Sequence, residues 1–288
     1  MRGKLVLLTG ITGVMGKETA VALAKMGATV VCSSRLRESG ETAVAEIKAA
    51  SGSDNVDLLV ADLASQSQIR QMAAAFKQRY GRLDVLINNA GTYRADRDVT
   101  EDGMEYTLAV NHLAPYLLTA CLIDTLKAPA PARIINLTSG SHAQGHIDFD
   151  DLQSERNYSF FKVGGMTKLA LLLFTYELAE RLNGSGVTAN AVHPGLVPKG
   201  TAKRYMPKGV QVMMGLLSVI PTPFTKSPEK GAETAVYLAS SPDVEGVNGQ
   251  YFVDKKPTQS SPASYDVETR GRLWEVSAAL TGLPVDWA

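Results

Sequence analysis

Two hydrophobic rhythms alternate along this chain. Short runs of consecutive apolar residues, such as LVLL at 5–8, are followed by longer stretches whose apolar positions recur every third or fourth residue. The first rhythm predicts buried strands and the second amphipathic helices. In order, they give a strand at 4–8, a helix over 16–26, a strand in ATVVCSS, a helix over 38–50, a strand in DNVDLLVAD, a helix over 66–80 and a strand in LDVLINNAG. The second half continues with a helix over 104–125, a strand in ARIINLTS, a helix over 163–182, a strand in GVTANAVHPG, a helix opening at Pro228 and a last strand in GQYFVD. Strands this apolar, without polar alternation, must be covered on both faces. The expected fold class is therefore α/β: a single doubly wound domain, with a mostly parallel seven-stranded sheet and helices on both faces.

The pattern weakens in two places. VQVMMGLLSVIPTPF at 210–224 is apolar but broken by Pro221 and Pro223, and reads as an irregular flap, spanning about 199–226, over an apolar pocket. It is too short and too interrupted to predict stable membrane insertion. Proline and serine thicken at 257–264, an exposed connection to a final helix over 269–280 that would pack back through Leu273, Trp274 and Leu280. The expected division is a body over 1–256 and an extension over 257–288 on the same domain. The opening MRGKLVLLTG runs directly into a glycine turn, so Leu5–Leu8 reads as a buried strand rather than a signal peptide or anchor.

Charge and cysteine content narrow the function classes. Lys plus Arg and Asp plus Glu number 29 each, leaving no net positive footprint for nucleic acid or an anionic membrane. Cys32 and Cys121, the two cysteines, sit in apolar surroundings, which excludes a disulfide framework and fits a reducing, cytoplasmic compartment. No His, Cys or carboxylate spacing matches a metal site, and neither a serine-hydrolase elbow nor a GxxxxGK[ST] loop is present.

The candidate chemistry starts where the first strand meets TGITGVMG at 9–16. In such a loop glycine lets the backbone approach a pyrophosphate, and the free amides of the following helix favour the anion. Gly10, Gly13 and Gly16, with Met15 among them, are the contact residues. The second strand ends in Ser33, Ser34 and Arg35, where a site for NAD usually carries Asp or Glu. Arg35 can make charge-assisted bonds to a 2′-phosphate, and Ser34 adds room and a hydroxyl. The expected cofactor is NADP(H), with NAD(H) less favoured. Asp62, followed by Leu63, either accepts from the adenine amino group or caps the next helix.

With NNAG at 88–91, Asn111, Ser139 and Lys168 added, the chain resembles the short-chain dehydrogenase/reductase family, in its retinol-dehydrogenase-like branch. The likeness runs through VNHLAPYLLT, IINLTSGSH, LLLFTYELAERL, VTANAVHPG, NGQYFVD and GRLWEVSAAL, almost the whole chain. It implies a Rossmann-type fold and a set of roles. Asn88, Asn89, Ala90 and Gly91 would support the central strand and line the adenosine side. Asn111 would bend or hydrate the neighbouring helix and help hold a relay water. Ser139 would donate to the substrate oxygen, Lys168 would hold the nicotinamide ribose, and Pro194 and Gly195 would bound the nicotinamide face. Helix-mediated homodimers are usual in such proteins, and Leu169, Leu172, Leu173 and Tyr176 form a face that would either make one or simply cover the sheet.

The resemblance also exposes two departures. The glycine loop reads TGxxGxxG, with Val14 at the usual middle glycine, a spacing seen in extended members such as sugar-nucleotide epimerases. More consequentially, the family's YxxxK signature should end at Lys168, yet 164–168 read GGMTK and Gly164 stands in the tyrosine position. A glycine moves no proton, and general acid–base help is worth about 10²- to 10⁴-fold. Loss of the phenol is expected to leave open space beside Ser139 and Lys168. Tyr158, Tyr205 and Tyr93 are the phenols that could substitute, and His142 is a further acid–base candidate. His193 is expected to complete local hydrogen bonds. Three functions stay open: an NADP(H)-dependent carbonyl reductase or alcohol dehydrogenase on an apolar small molecule; a non-redox cyclase, isomerase or dehydratase; and a catalytically silent nucleotide- or partner-binding protein.

Overall fold

The computed structural model describes residues 1–199, 206–219 and 225–288. Eight strands form one sheet in the order β3-β2-β1-β4-β5-β6-β7-β8: β1 Leu5–Thr9, β2 Thr29–Ser34, β3 Val56–Val60, β4 Val85–Asn88, β5 Ala132–Leu137, β6 Val187–His193, β7 Tyr251–Val253 and β8 Lys256–Pro257. Every pairing is parallel except β7 with β8. The eighth strand was not expected. Its two residues follow a tight turn in which Asp254 and Lys255 adopt φ of 51° and 63°, and a proline is tolerated there because the strand lies at the sheet edge.

Residues within one strand explain the lack of polar alternation. Leu5 and Leu7 of β1 join Val31, Leu86, Ile134 and Ala189 in a core covered by α3 Gln66–Tyr80, α5 Ala114–Lys127 and α6 Phe160–Arg181. Val6 and Leu8 point the other way, with Val30, Cys32, Ile87, Ile135 and Val192, under α1 Val14–Lys25, α2 Arg37–Ser51 and α8 Pro228–Ser240. Each valine, leucine or isoleucine among them contributes roughly 1.5–3 kcal/mol by leaving water. Side-chain caps fix several helix starts: Ser65 accepts from the Gln68 amide, and Ser227 accepts from the Lys230 amide with Pro228 at the first helical position.

Two other expectations need correction. The helix expected over 104–125 is a short turn, α4 Tyr106–Leu108, then a π-turn over Ala109–Leu113, then α5. The run Tyr106–Lys127 is long and apolar enough to cross a membrane, but 83% of its apolar window is buried inside the protein. The flap is not irregular over its first part: α7 Lys208–Val219 is a helix, whose Val212, Met213 and Leu216 are exposed. Pro221, Pro223 and Tyr205 lie outside the described residues.

Of the two roles open to the apolar face of α6, covering its own chain is the one the structure has. Leu169, Leu172, Leu173 and Tyr176 are at most 6% exposed. The last helix, α9 Val267–Thr281, packs along α6, and Arg270 pairs with Glu177 at 2.8 Å. Trp274 anchors it. Its ring stacks on Trp287 at 4.7 Å and meets Tyr116 edge-on at 5.0 Å, and its Nε1 donates to the Val285 carbonyl at 2.7 Å.

Candidate active site

The sheet order reverses direction between β1 and β4, and the carboxyl ends of the strands on either side diverge there. In open α/β sheets this is where ligands bind. A cleft of about 580 Å³ opens at that point, lined by residues that directly follow β1 through β6. A second cleft of about 560 Å³ lies at the opposite ends of the strands, beside Lys4 and Asp84. There Asp84 is taken up in binding Lys4 at 2.9 Å, Arg82 at 2.7 Å and the Leu5 amide at 2.9 Å, which reads as a structural tie.

The floor of the first cleft is the glycine loop. Gly10 has φ +76°, and a Cβ there would stand 2.8 Å from the Ala90 Cα, so this position holds β1 against the loop after β4. A Cβ on Gly16 would meet the Gly10 carbonyl oxygen at 2.5 Å and Asn89 Nδ2 at 2.8 Å. Gly13 differs, since its nearest obstruction would be at an ordinary 3.5 Å. It is also the N-cap of α1, with no side-chain cap and no acidic residue in the first turn. The start of this helix thus presents amides without a protein anion to answer them.

The loop after β4 is sewn to β1. Thr9 Oγ1 accepts from the Asn89 and Ala90 amides, both at 3.0 Å, and Asn89 Nδ2 donates to the Thr9 and Gly10 carbonyls at 2.7 and 3.2 Å. Asn89 Oδ1 is buried without a partner among the described residues and belongs to a residue that lines the cleft. An uncapped helix start, a bare backbone at Gly13 and an orphaned acceptor together fit a bound dinucleotide. Asn88 points away, donating to Asn136 Oδ1 at 2.8 Å inside the core, so it supports the strand without lining the site.

Ser34, Arg35, Asp62, Leu63, Gly91, Pro194 and Gly195 line the same cleft. Ser34 donates to the Leu36 carbonyl at 3.0 Å, and Arg35 Nη1 donates to the Tyr106 hydroxyl at 3.2 Å. Asp62 does not cap α3, a task taken by Ser65; its Oδ1 accepts from the Ala64 amide at 2.9 Å. Met15 packs against α8, where a Cβ on Gly231 would be 2.7 Å from its sulfur.

On the opposite wall, Ser139 lies two residues past β5 and caps a 3-10 turn over Gly140–Gln144. Its Oγ accepts from the Ser141 amide and from the Ser141 hydroxyl, each at 3.2 Å. Lys168 lies on α6, and its Nζ donates to the Leu137 carbonyl at 2.9 Å. Gly164, one turn earlier on α6, lines the cleft too. The open space expected beside it is filled, because a Cβ at 164 would stand 2.8 Å from Cε1 of Tyr93 and 3.2 Å from its Cδ1. Val110, Phe160, Leu196, Val210 and Met214 give this side an apolar lining.

The short chain dehydrogenase family model matches residues 4–209. Human retinol dehydrogenase 13 is 42% identical over 282 residues, covering 98% of this chain and 85% of its own length. The chain belongs to the short-chain dehydrogenase family. Its curated relatives place it in the retinol-dehydrogenase-like branch, human retinol dehydrogenase 14 among them at 39% identity over 98% of this chain and 88% of its own. Among solved structures, an uncharacterised protein from Mycobacterium paratuberculosis superposes with a TM-score of 0.78 at 28% identity, covering 99% of this chain and 95% of its own.

Two side chains in this short-chain dehydrogenase depart from their expected places. Asn111, wholly buried in the π-turn, does not line the cleft. Its Oδ1 accepts from the Thr92 amide at 2.8 Å, and its Nδ2 donates to the Thr92 carbonyl at 2.9 Å and to Thr167 Oγ1 at 3.2 Å. With both amide hydrogens used, it clamps the loop that carries Tyr93. His142 is likewise buried: Nδ1 meets the Ser139 carbonyl at 2.8 Å and Nε2 accepts from the Ser261 amide at 3.1 Å, so it is a structural bridge to the C-terminal segment. His193 accepts from the Gly140 and Gly195 amides at 3.2 and 3.3 Å, and burial and the nearby Lys226 charge pull its pKa down to about 4, keeping it a neutral acceptor.

Tyr158 is engaged elsewhere, donating to the Arg94 carbonyl at 2.8 Å. Burial lowers the Lys168 pKa to about 8 and raises that of the Tyr93 phenol, the latter against a smaller lowering influence of the Ser141 hydroxyl. Sequence reasoning missed Tyr106, which reaches Arg35, and Ser141. The first carries no motif signal. The second stood beside Ser139 in TSGSH, where two hydroxyls at alternate positions could have been read as a pair.

Proposed function

We propose that this protein is an NADP(H)-dependent oxidoreductase that interconverts a carbonyl and an alcohol on an apolar small molecule. The observation that carries this reading is a single cleft at the sheet's reversal point, joining the glycine loop, Ser139 and Lys168 to an apolar wall. Curated relatives of the same branch bear the name retinol dehydrogenase, which supports an apolar aldehyde or alcohol as the substrate class. A Burkholderia cenocepacia short chain dehydrogenase in complex with NADP superposes with a TM-score of 0.68 at 25% identity over 87% of this chain and 96% of its own, which supports the cofactor class.

A nicotinamide dinucleotide bound in the cleft would supply the reducing equivalent. The amides at the start of α1 and the bare backbone at Gly13 receive its pyrophosphate. Arg35 answers a 2′-phosphate, since no carboxylate closes β2. Asp62, with Oδ2 left over from its turn, and Asn89 Oδ1 offer acceptors on the adenosine side. Lys168, held by the Leu137 carbonyl, presents its remaining donors to the ribose. Ser139 accepts twice from Ser141, so its own hydrogen is directed to a substrate oxygen, where it stabilises developing negative charge. Phe160, Val210 and Met214 exclude water from the reacting carbon.

A non-redox reading loses its motive, because the volume expected at Gly164 holds the Tyr93 ring. The test is to mix the purified protein with NADPH and either all-trans-retinal or decanal. Loss of NADPH absorbance matching alcohol formed is expected. An aldehyde that rearranges or dehydrates without NADPH loss would overturn the assignment.

A further inference from the structure

The loop after β4 delivers a phenol to the place where α6 lacks one. The ring of Tyr93 lies against Gly164, closer than any Cβ at that position would permit. Phe160 flanks it, ring centre to ring centre at 5.5 Å. Its backbone neighbour Thr92 is gripped at both amide and carbonyl by Asn111, at 2.8 and 2.9 Å. The glycine and the tyrosine are thus two halves of one arrangement, since a side chain at 164 would expel the ring.

Tyr93, Ser141 and Ser139 line the same cleft, and the Ser141 hydroxyl acts on the Tyr93 phenol to lower its pKa. The Ser141 hydroxyl donates to Ser139 Oγ at 3.2 Å, and no acceptor among the described residues takes the Ser139 hydroxyl hydrogen. The cleft thus brings three hydroxyls together, the last two of them hydrogen-bonded and the last facing the substrate. We propose that Tyr93 is the proton source for carbonyl reduction, its proton passing through Ser141 to Ser139 and on to the substrate oxygen.

This rests on the oxidoreductase reading above. With reduced nicotinamide dinucleotide as reductant, a hydride and its electron pair form the new C–H bond and the carbonyl π pair moves to oxygen. That oxygen takes the Ser139 proton, Ser139 takes one from Ser141, Ser141 takes one from Tyr93, and solvent reprotonates the phenolate. Burial raises the phenol's pKa, which keeps it protonated through neutral pH and suits it to donation. The other ionisable groups lining the cleft are Arg35, Asp62, Tyr106, Lys168 and Lys199. Of these Lys168 also titrates above neutrality, at about 8, so the test must separate the two.

Wild type, Tyr93→Phe, Ser141→Ala and the double variant are compared with NADPH and all-trans-retinal or decanal, alongside melting temperature and NADPH affinity by fluorescence titration. Tyr93→Phe keeps the ring against Gly164, so fold and NADPH affinity hold while kcat falls about 10²- to 10⁴-fold. Ser141→Ala falls comparably, and the double variant falls no further than the worse single one, because both break the same chain. Placing 3-fluorotyrosine at 93 moves the alkaline decline of reduction to lower pH, whereas a decline set by Lys168 would not move.

In the protein without cofactor, Gly164→Ala lowers the melting temperature less in a Tyr93→Ala background than in wild type. Unchanged kcat in Tyr93→Phe, an unmoved pH profile with 3-fluorotyrosine, or additive effects at 93 and 164 would each overturn the inference. Wild-type turnover with unaffected Tyr93→Phe sinks this inference alone. Absence of any wild-type turnover with both aldehydes sinks it together with the reductase reading.

Discussion

The floor of the cleft and its far wall are built on opposite principles. On the floor, Gly10 and Gly16 are fixed by the backbone they touch, and the loop after β4 is bound to β1 through Thr9. Chemistry and packing there reside in the same residues at the same positions, so a motif is a reliable guide to geometry. On the far wall, one atom group can be supplied from more than one element. Position 164 of α6 is bare, yet a phenolic ring occupies the space beside it from a loop some seventy residues earlier in the chain. A missing motif residue is therefore a statement about one position, not about the contents of the site.

Variants that separate the two regions sharpen this contrast. The largest effect falls on the wall: Ser139→Ala should lower kcat by about 10²- to 10⁴-fold, since it removes both a donor to the developing oxyanion and the last link of the proton chain. Its melting temperature should hardly change, and steady-state kinetics on a folded variant checks both. Next comes the floor's charged edge. Arg35→Ala should weaken NADPH binding by about ten- to a hundredfold, corresponding to roughly 1.5–3 kcal/mol for a charge-assisted bond, and leave NADH binding unaltered in parallel titrations.

A pair of glycine variants divides packing from ligand contact within the floor. Gly16→Ala, driven against the Gly10 carbonyl, should cost about 1–3 kcal/mol of stability in denaturant unfolding without cofactor. Gly13→Ala should cost clearly less stability and act mainly on NADPH affinity. Equal destabilisation by both would dissolve the distinction.

The smallest effect is a pH dependence. Lys168 has its pKa lowered by burial from 10.5 to about 8, so between those values the unfolded chain binds more protons than the folded one, and stability rises with pH. The cost of burying the cation is in full force below about pH 8. Lys168→Met should flatten that rise in melting curves recorded across the window. A slope unchanged by the substitution would show that the ammonium is not desolvated as the structure has it.

The sheet was legible because its strands are buried on both faces, which suppresses polar alternation and leaves continuous apolar runs such as LVLL. The edge strand β8 was not, since two residues ending in proline carry no periodic signal and owe their place to the turn before them. Helix α7 was masked by the prolines that follow it, and its exposed Val212, Met213 and Leu216 obscure the usual one-sided pattern. The glycine loop and Ser139 could be named because each adjoins the end of a recognisable element, and Lys168 because the family's YxxxK signature ends there.

Asn111 and Tyr93 could be named but not placed. Whether Asn111 lines a cleft or clamps Thr92 depends on the π-turn that rotates it, and sequence gives no register for such a turn. Tyr93 follows β4 by only a few residues, and nothing in its neighbourhood announces a partner on α6. Its importance follows from Gly164, which is visible as a defect in sequence and as an accommodation in three dimensions.

The measurement that bears most directly on this account is isotopic. With NADPH carrying deuterium on the transferable position of its nicotinamide ring and all-trans-retinal or decanal as acceptor, the alcohol formed should carry one deuterium on its carbinol carbon, in step with NADPH consumed. Product that forms without the label, or in the absence of NADPH, would contradict the assignment of this cleft to carbonyl reduction.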